Sequence, residues 1–195
     1  MYSQNNEEKF ITNYFNGNIG KFIDVGAFHP FKFSNTRKLI ELGWHGVCVE
    51  PSPKCFANFI NEYKDNHSVI LLNKGLSETS GEFDFYEANG DAISTTVLDH
   101  KTKWESAGVV YTPIKVEMMA VSDFEKTYCL DTDFINIDVE SSNFQIFSLF
   151  SDSFLSNIKM ICIEHDNHFD QIRERLFPLG FNELTINGEN IILAK

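Results

Sequence analysis

Short apolar runs alternate with segments of helical periodicity along most of this chain, and that alternation sets what it can fold into. The runs are 21–25, 46–50, 68–72, 133–138 and 159–164. Between them lie 35–42, 53–64, 143–150 and 168–177, whose apolar residues recur at helical spacing. Such a pattern builds βαβ units, hence a mostly parallel sheet with helices on both faces. Phe56, Phe59, Ile60 and Tyr63 predict one buried face for the helix over 53–64. Ser52 suits its N-cap and Pro53 its first turn. A helix over 7–15 should stop at Asn16-Gly17. The chain closes differently, because 181–186 and 190–194 flank Asn187-Gly188, an antiparallel hairpin signal. A second hairpin is expected around 82–86. The segment 89–108 is polar and aperiodic, as binding loops often are. There is no repeat or linker, so the 195 residues read as one domain, with an N-terminal helix and lead-in over 1–20 and variable loops over 88–120.

Composition narrows the partners. Lys plus Arg is 16 and Asp plus Glu is 28, a formal charge of −12. A surface of that sign repels phosphate backbones and anionic lipid, so no nucleic-acid partner is expected. Cys48, Cys55, Cys129 and Cys162 form no C-x-x-C pair, and Cys48 and Cys162 lie inside apolar runs. They read as buried free thiols in a reducing compartment. The start, MYSQNNEEKF, lacks a basic and an apolar region, and no stretch reaches the ~18 apolar residues of a membrane span, so a cytoplasmic location is expected.

In an open parallel sheet, ligands bind beyond the carboxyl ends of the strands. The first strand ends in Asp24-Val25-Gly26-Ala27-Phe28-His29-Pro30 and the second in Glu50-Pro51-Ser52-Pro53. Gly26 allows a tight turn beside a ligand. Glu50, 26 residues beyond Asp24, can accept two hydrogen bonds from a ribose diol. The turn has one glycine where a pyrophosphate cradle needs three. Asp24 would repel phosphate but attract an α-ammonium, so a nucleoside with an amino-acid tail fits better than a dinucleotide. S-adenosylmethionine is such a molecule.

These residues carry a family resemblance. FIDVGAFHPFKFSNTRKLIELGWHGVCVEPSPKCF, the preceding YSQNNEEKFITNYF and the later FINIDVESSNFQIF resemble segments of FkbM-family methyltransferases in order, with 88–130 matching least. The resemblance implies an S-adenosylmethionine-dependent O-methyltransferase on a three-layer, Rossmann-like, seven-stranded, mostly parallel sheet. It places Asp24, Gly26, Ala27 and Phe28 at the methionine end of the cofactor and Asn35 near its tail. Glu50 would hold the ribose, with Pro51 and Ser52 lining the same crevice, and Gly75, Leu76 and Ser77 would border the adenine. Asp138 would sit where methyl group and acceptor meet. The family usually has a glycine at position 141 and an acid at position 143, where this chain has Ser141 and Asn143. That departure weakens any catalytic role carried through the segment.

Methyl transfer to a hydroxyl profits from a general base. Asp138, Glu140 and His165 follow strands and are the catalytic candidates. His29, Thr36, Ser94, Thr95 and Trp104 are acceptor-side candidates, and Tyr111 is a further stacking candidate. Asp138, Glu164 and His165 could form a divalent-metal site, but the plainer reading of Glu164-His165-Asp166-Asn167-His168 is a polar loop capping the next helix. No metal is therefore expected. His45, His67 and His100 read as surface residues, and Trp44 as a helix–sheet packing residue. The leading expectation is methylation of a hydroxyl on a sugar, glycan-like or other small acceptor. The alternatives are a non-catalytic cofactor- or glycan-binding module and a nicotinamide oxidoreductase, the latter disfavoured by the single-glycine turn.

Overall fold

The computed structural model describes residues 1–195. Its main sheet has seven strands in the order β3-β2-β1-β7-β8-β10-β9. These are β1 (Lys21–Val25), β2 (His45–Val49), β3 (Val69–Leu72), β7 (Phe134–Ile137), β8 (Met160–Glu164), β9 (Asn182–Ile186) and β10 (Asn190–Ala194). The pairs from β3 to β8 are parallel, and β10 runs antiparallel to both β8 and β9. The apolar runs therefore become the central strands, and Asn187-Gly188 turns the last hairpin.

Alternate strand residues face opposite layers. Ile23, Val25, Ile135 and Ile137 pack with Phe124, Phe147, Phe150, Leu155 and Ile172 on one side. These come from α5 (Val121–Tyr128), α6 (Asn143–Leu149), α7 (Asp152–Asn157) and α8 (Phe169–Leu176). Phe22, Phe134 and Cys162 face α1 (Glu7–Phe15), α2 (Arg37–Glu41) and α3 (Pro53–Tyr63) on the other. Burying a Phe or Ile of this kind contributes roughly 1.5–3 kcal/mol. Trp44 is fully enclosed, edge-on to Phe15 with centroids 4.6 Å apart, and donates Nε1–H to the Asn18 carbonyl.

Ser52 caps α3 by accepting the Cys55 N–H at 3.3 Å. The buried face of α3 differs from expectation. It is Cys55, Phe59 and Tyr63, while Ile60 is 47% exposed. The stripe at 55, 59 and 63 is one residue per turn wide, and Ile60 falls outside it.

The middle of the chain departs most. The expected hairpin at 82–86 is instead β5 (Gly81–Glu87), paired antiparallel with β6 (Thr112–Ala120) across a long excursion. With β4 (Gly75–Ser77) they form a second, three-stranded sheet, β4-β6-β5. The aperiodic segment 89–108 contains α4 (Leu98–Ser106), none of whose residues is buried. A peripheral helix has no core face to impose a hydrophobic period, so none was visible. No helix is long and apolar enough to cross a membrane.

Candidate active site

The strand order reverses at β1, whose neighbours β2 and β7 lead to opposite edges. Open parallel sheets form a crevice where the strand order reverses, and a cavity of about 370 Å³ lies there. Gly26 turns with φ +80°, and a Cβ on it would overlap the Asp138 carbonyl oxygen. The β1 and β7 tips touch there through bare backbone. The second sheet supplies the opposite wall with Leu76, Phe83, Phe85 and Met118.

Six carboxylates line the cavity (Asp24, Glu50, Glu78, Asp91, Asp138 and Glu140), and no Lys, Arg or His does. Asp24 accepts from Thr36 Oγ1 at 2.5 Å and Asn136 Nδ2 at 2.9 Å. Burial raises its pKa, and those two donors hold the rise in check. Glu50 accepts the backbone N–H of Ser52 at 2.7 Å and of Phe28 at 2.8 Å. Burial pushes its pKa up to about 7 against those bonds. Each of its oxygens keeps one lone pair for a further donor. Asn35 gives its amide N–H to Asn136 Oδ1 at 2.9 Å, while its own Oδ1 is buried with no partner. An orphaned acceptor beside a cavity marks a place for a ligand donor.

The β7–β8 side is built differently. Asp138 is raised well above the carboxylate range by burial and by the Glu164 charge, and hydrogen-bonds to Glu164. Glu164 is raised by burial and by Asp166. Each therefore favours its protonated form more than a free carboxylate does. Glu140 is pushed up to about 8 by burial, then by Glu164 and Asp166. Asn143, fully buried at the start of α6, accepts the Val139 N–H at 2.7 Å and donates to Glu164 at 2.6 Å and Asp166 at 3.0 Å. An amide there feeds two carboxylates where an acid would add a third charge.

Of the sequence-derived cofactor candidates, Asp24, Gly26, Ala27, Phe28, Asn35, Glu50, Pro51, Gly75, Leu76, Ser77 and Asp138 line the cavity. Ser52 does not: it is fully buried, capping α3 and donating to Glu87 at 3.1 Å. Glu140 lines the cavity and His165 does not. His165 Nδ1 accepts the Asn167 N–H at 3.0 Å, which leaves Nε2 protonated and donating to the Asn187 carbonyl at 3.2 Å. Nδ1 is taken by its own loop after β8 and Nε2 by the β9–β10 turn, so neither nitrogen is free to act as base or metal ligand in this arrangement. No group of three His, Cys, Asp or Glu side chains has a metal-binding arrangement.

Among the acceptor-side candidates, Ser94 reaches the cavity, with Thr96 beside it. Thr36 serves Asp24 from behind, and His29 Nδ1 accepts from the Phe31 and Lys32 N–H groups at 3.0 and 3.2 Å, fixing its own turn. Thr95 donates to the Glu140 carbonyl at 3.0 Å. Trp104 packs beside His100 on α4, away from the cavity, and Tyr111 is buried with its hydroxyl on the Ile93 carbonyl. His100 corrects the opposite way. It is not a surface residue: its side chain is 8% exposed, with Nδ1 2.6 Å from Ser141 Oγ and Nε2 3.4 Å from Glu140 Oε2. Gln4, inside the YSQNNEEKFITNYF segment, also lines the cavity, a site role that segment did not signal.

Among solved structures, the fold is similar to a candidate RNA methyltransferase from Pyrococcus horikoshii (10% identity, 97% of this chain and 81% of that one, TM-score 0.48). It is also similar to the fibrillarin pre-rRNA processing protein of Methanococcus jannaschii (11%, 97% and 75%, 0.46) and the N-terminal domain of human METTL16 (10%, 96% and 66%, 0.49). No curated protein matches the chain in sequence. Residues 24–183 match the methyltransferase FkbM domain, a span running from Asp24 to the start of β9 and containing all six carboxylates of the cavity. The chain belongs to the FkbM methyltransferase domain family, which implies S-adenosylmethionine as its cofactor.

Proposed function

We propose that the chain acts as a single S-adenosylmethionine-dependent O-methyltransferase unit, transferring a methyl group to a hydroxyl of a small sugar, glycan-like or other polyol acceptor. One observation carries the reading: six carboxylates and no cationic side chain line the cavity at the β1/β7 switch point. That wall repels phosphates and favours a ligand with net positive charge, which a sulfonium with an amino-acid tail has. When bound, S-adenosylmethionine supplies an electrophilic methyl group.

The chain's own residues divide the work. Glu50 offers its free lone pairs to the ribose diol, and Asn35 Oδ1 and Asp24 face the α-ammonium. Gly75, Leu76 and Ser77, with Phe85, enclose the base. Asp138, at the tip of β7, would take the proton that the acceptor hydroxyl gives up when its oxygen receives the methyl group. Its raised pKa makes it a stronger base than an ordinary carboxylate, and a cationic ligand nearby favours its ionised form. Ser94, Thr96 and Glu140 supply polar contacts for the acceptor. The charge of −12 supports an acceptor other than nucleic acid, and the four buried free thiols support the cytoplasm as its working compartment.

Asn143, standing where the family usually carries an acid, motivates a second reading, a non-catalytic cofactor- or glycan-binding module. Incubation with methyl-labelled S-adenosylmethionine and a panel of methyl glycosides and polyols separates the two. Transfer that is lost in Asp138→Asn supports the enzyme. Cofactor binding without transfer to any acceptor supports the module.

A further inference from the structure

The loop after β7 holds two consecutive non-glycine residues in left-handed conformation, Glu140 at φ 52° and Ser141 at φ 71°. Such a conformation is costly for a residue with a Cβ and persists only where its surroundings impose it. Two of the groups that hold it come from the 89–108 segment. Thr95 Oγ1 donates to the Glu140 carbonyl at 3.0 Å, and His100 Nδ1 pairs with Ser141 Oγ at 2.6 Å. That hydroxyl exists because serine stands where glycine is usual. The His100 side chain is more than nine-tenths buried, and its Nε2 points at the Glu140 carboxyl from 3.4 Å without a hydrogen bond of its own. No α4 residue is buried as a whole, so this enclosed imidazole is one of the helix's few anchors.

We propose that His100 is a positioning residue of the active site: from α4 it clamps Ser141 and holds Glu140 toward the acceptor side of the cavity, so that docking of α4 assembles this part of the site. The proposal rests on the methyltransferase reading for its purpose, but its geometry can be tested without cofactor or acceptor. Glu140 is also faced by Asp91 from the segment before α4, by Glu164 and Asp166 after β8, and by Glu189 in the β9–β10 turn. His100 is faced by Lys103 on its own helix and by Asp166. Burial lowers the affinity of His100 for a proton, while that of Glu140 is raised to about 8. With its Nε2 3.4 Å from the Glu140 carboxyl, the ring senses that group's ionisation as well as its own.

The test is an NMR pH titration of the His100 ring in the ligand-free protein, assigned with His100→Gln, together with amide exchange of α4. The wild type should show two steps, one near pH 8 that disappears in Glu140→Gln and one below 6.5. Ser141→Gly should speed α4 exchange by about fivefold, the worth of one hydrogen bond of about 1 kcal/mol, and His100→Gln should do the same while the main sheet stays protected. A single step that Glu140→Gln leaves unmoved, or α4 exchange unchanged in both variants, would overturn the proposal. Calorimetric titration of the wild type with S-adenosylmethionine is run alongside. No heat there, with the two-step titration intact, removes the methyltransferase reading and leaves the clamp standing.

Discussion

The two halves of the cavity are both walled by carboxylates, buried on the β1–β2 side and half-buried on the β7–β8 side, yet they treat them in opposite ways. On the β1–β2 side every carboxylate has its own donors: Thr36 and Asn136 for Asp24, two backbone N–H groups for Glu50. On the β7–β8 side the carboxylates meet one another, Asp138 with Glu164 and Glu140 with Glu164 and Asp166, relieved by the single amide of Asn143. The first arrangement fixes charge and shape for binding. The second leaves protons loosely committed, which suits a group that must take a proton during turnover.

Predictions can break this contrast, beginning with the largest effect. Gly26→Ala would place a Cβ into the Asp138 carbonyl on a left-handed residue, wrecking the seam between the halves. A loss of about 3 kcal/mol or more is expected, read as a fall in Tm of roughly 6–12 °C. Glu50→Ala should weaken S-adenosylmethionine about 100-fold by calorimetry, from lost acceptors and two stranded backbone donors. Asp138→Asn should leave that affinity within a few-fold while abolishing transfer. If the two variants behave alike, the halves are not specialised.

The pH dependence follows from the same contrast. Glu50, at about 7, and Glu140, at about 8, bind protons more tightly folded than unfolded. The native chain therefore holds more protons between the unfolded carboxylate range and pH 8, and ligand-free stability falls as pH rises from 5 to 9. Calorimetric Tm should be higher at pH 6 than at pH 9, and Asp138→Asn should flatten the slope. A Tm rising over that range would contradict the assignment. Asn143→Asp, which sets a third carboxylate against Glu164 and Asp166, should cost about 2 kcal/mol at pH 8 and less at pH 5. The smallest effect is Trp104→Phe, which deletes a buried N–H that has no partner and should change stability by under about 1 kcal/mol.

The binding half was legible in the sequence because local rules made it. Strand ends, one turn glycine and an acid at the next strand tip are all short-range signals, and β1, α1 and the closing hairpin follow from period and turn chemistry. The other half depends on contacts between distant residues. His100 lies 41 residues from Ser141, and nothing local distinguishes it from the exposed His45. His165 misled for the converse reason: it follows a strand, as a catalytic residue often does, but the β9–β10 turn occupies its Nε2 and its own loop, through Asn167, its Nδ1. A signal for β6 was present, since Ile114, Val116, Met118 and Ala120 alternate, but its partner β5 lies across α4. Ser141 and Asn143 were visible as departures, and only the fold supplies their partners.

The most direct test of the central claim is calorimetric titration of S-adenosylmethionine into the wild-type chain between pH 6 and 9. The account predicts one site per chain, with affinity rising as pH passes through about 7 and Glu50 ionises. An absence of binding across the whole range would contradict it.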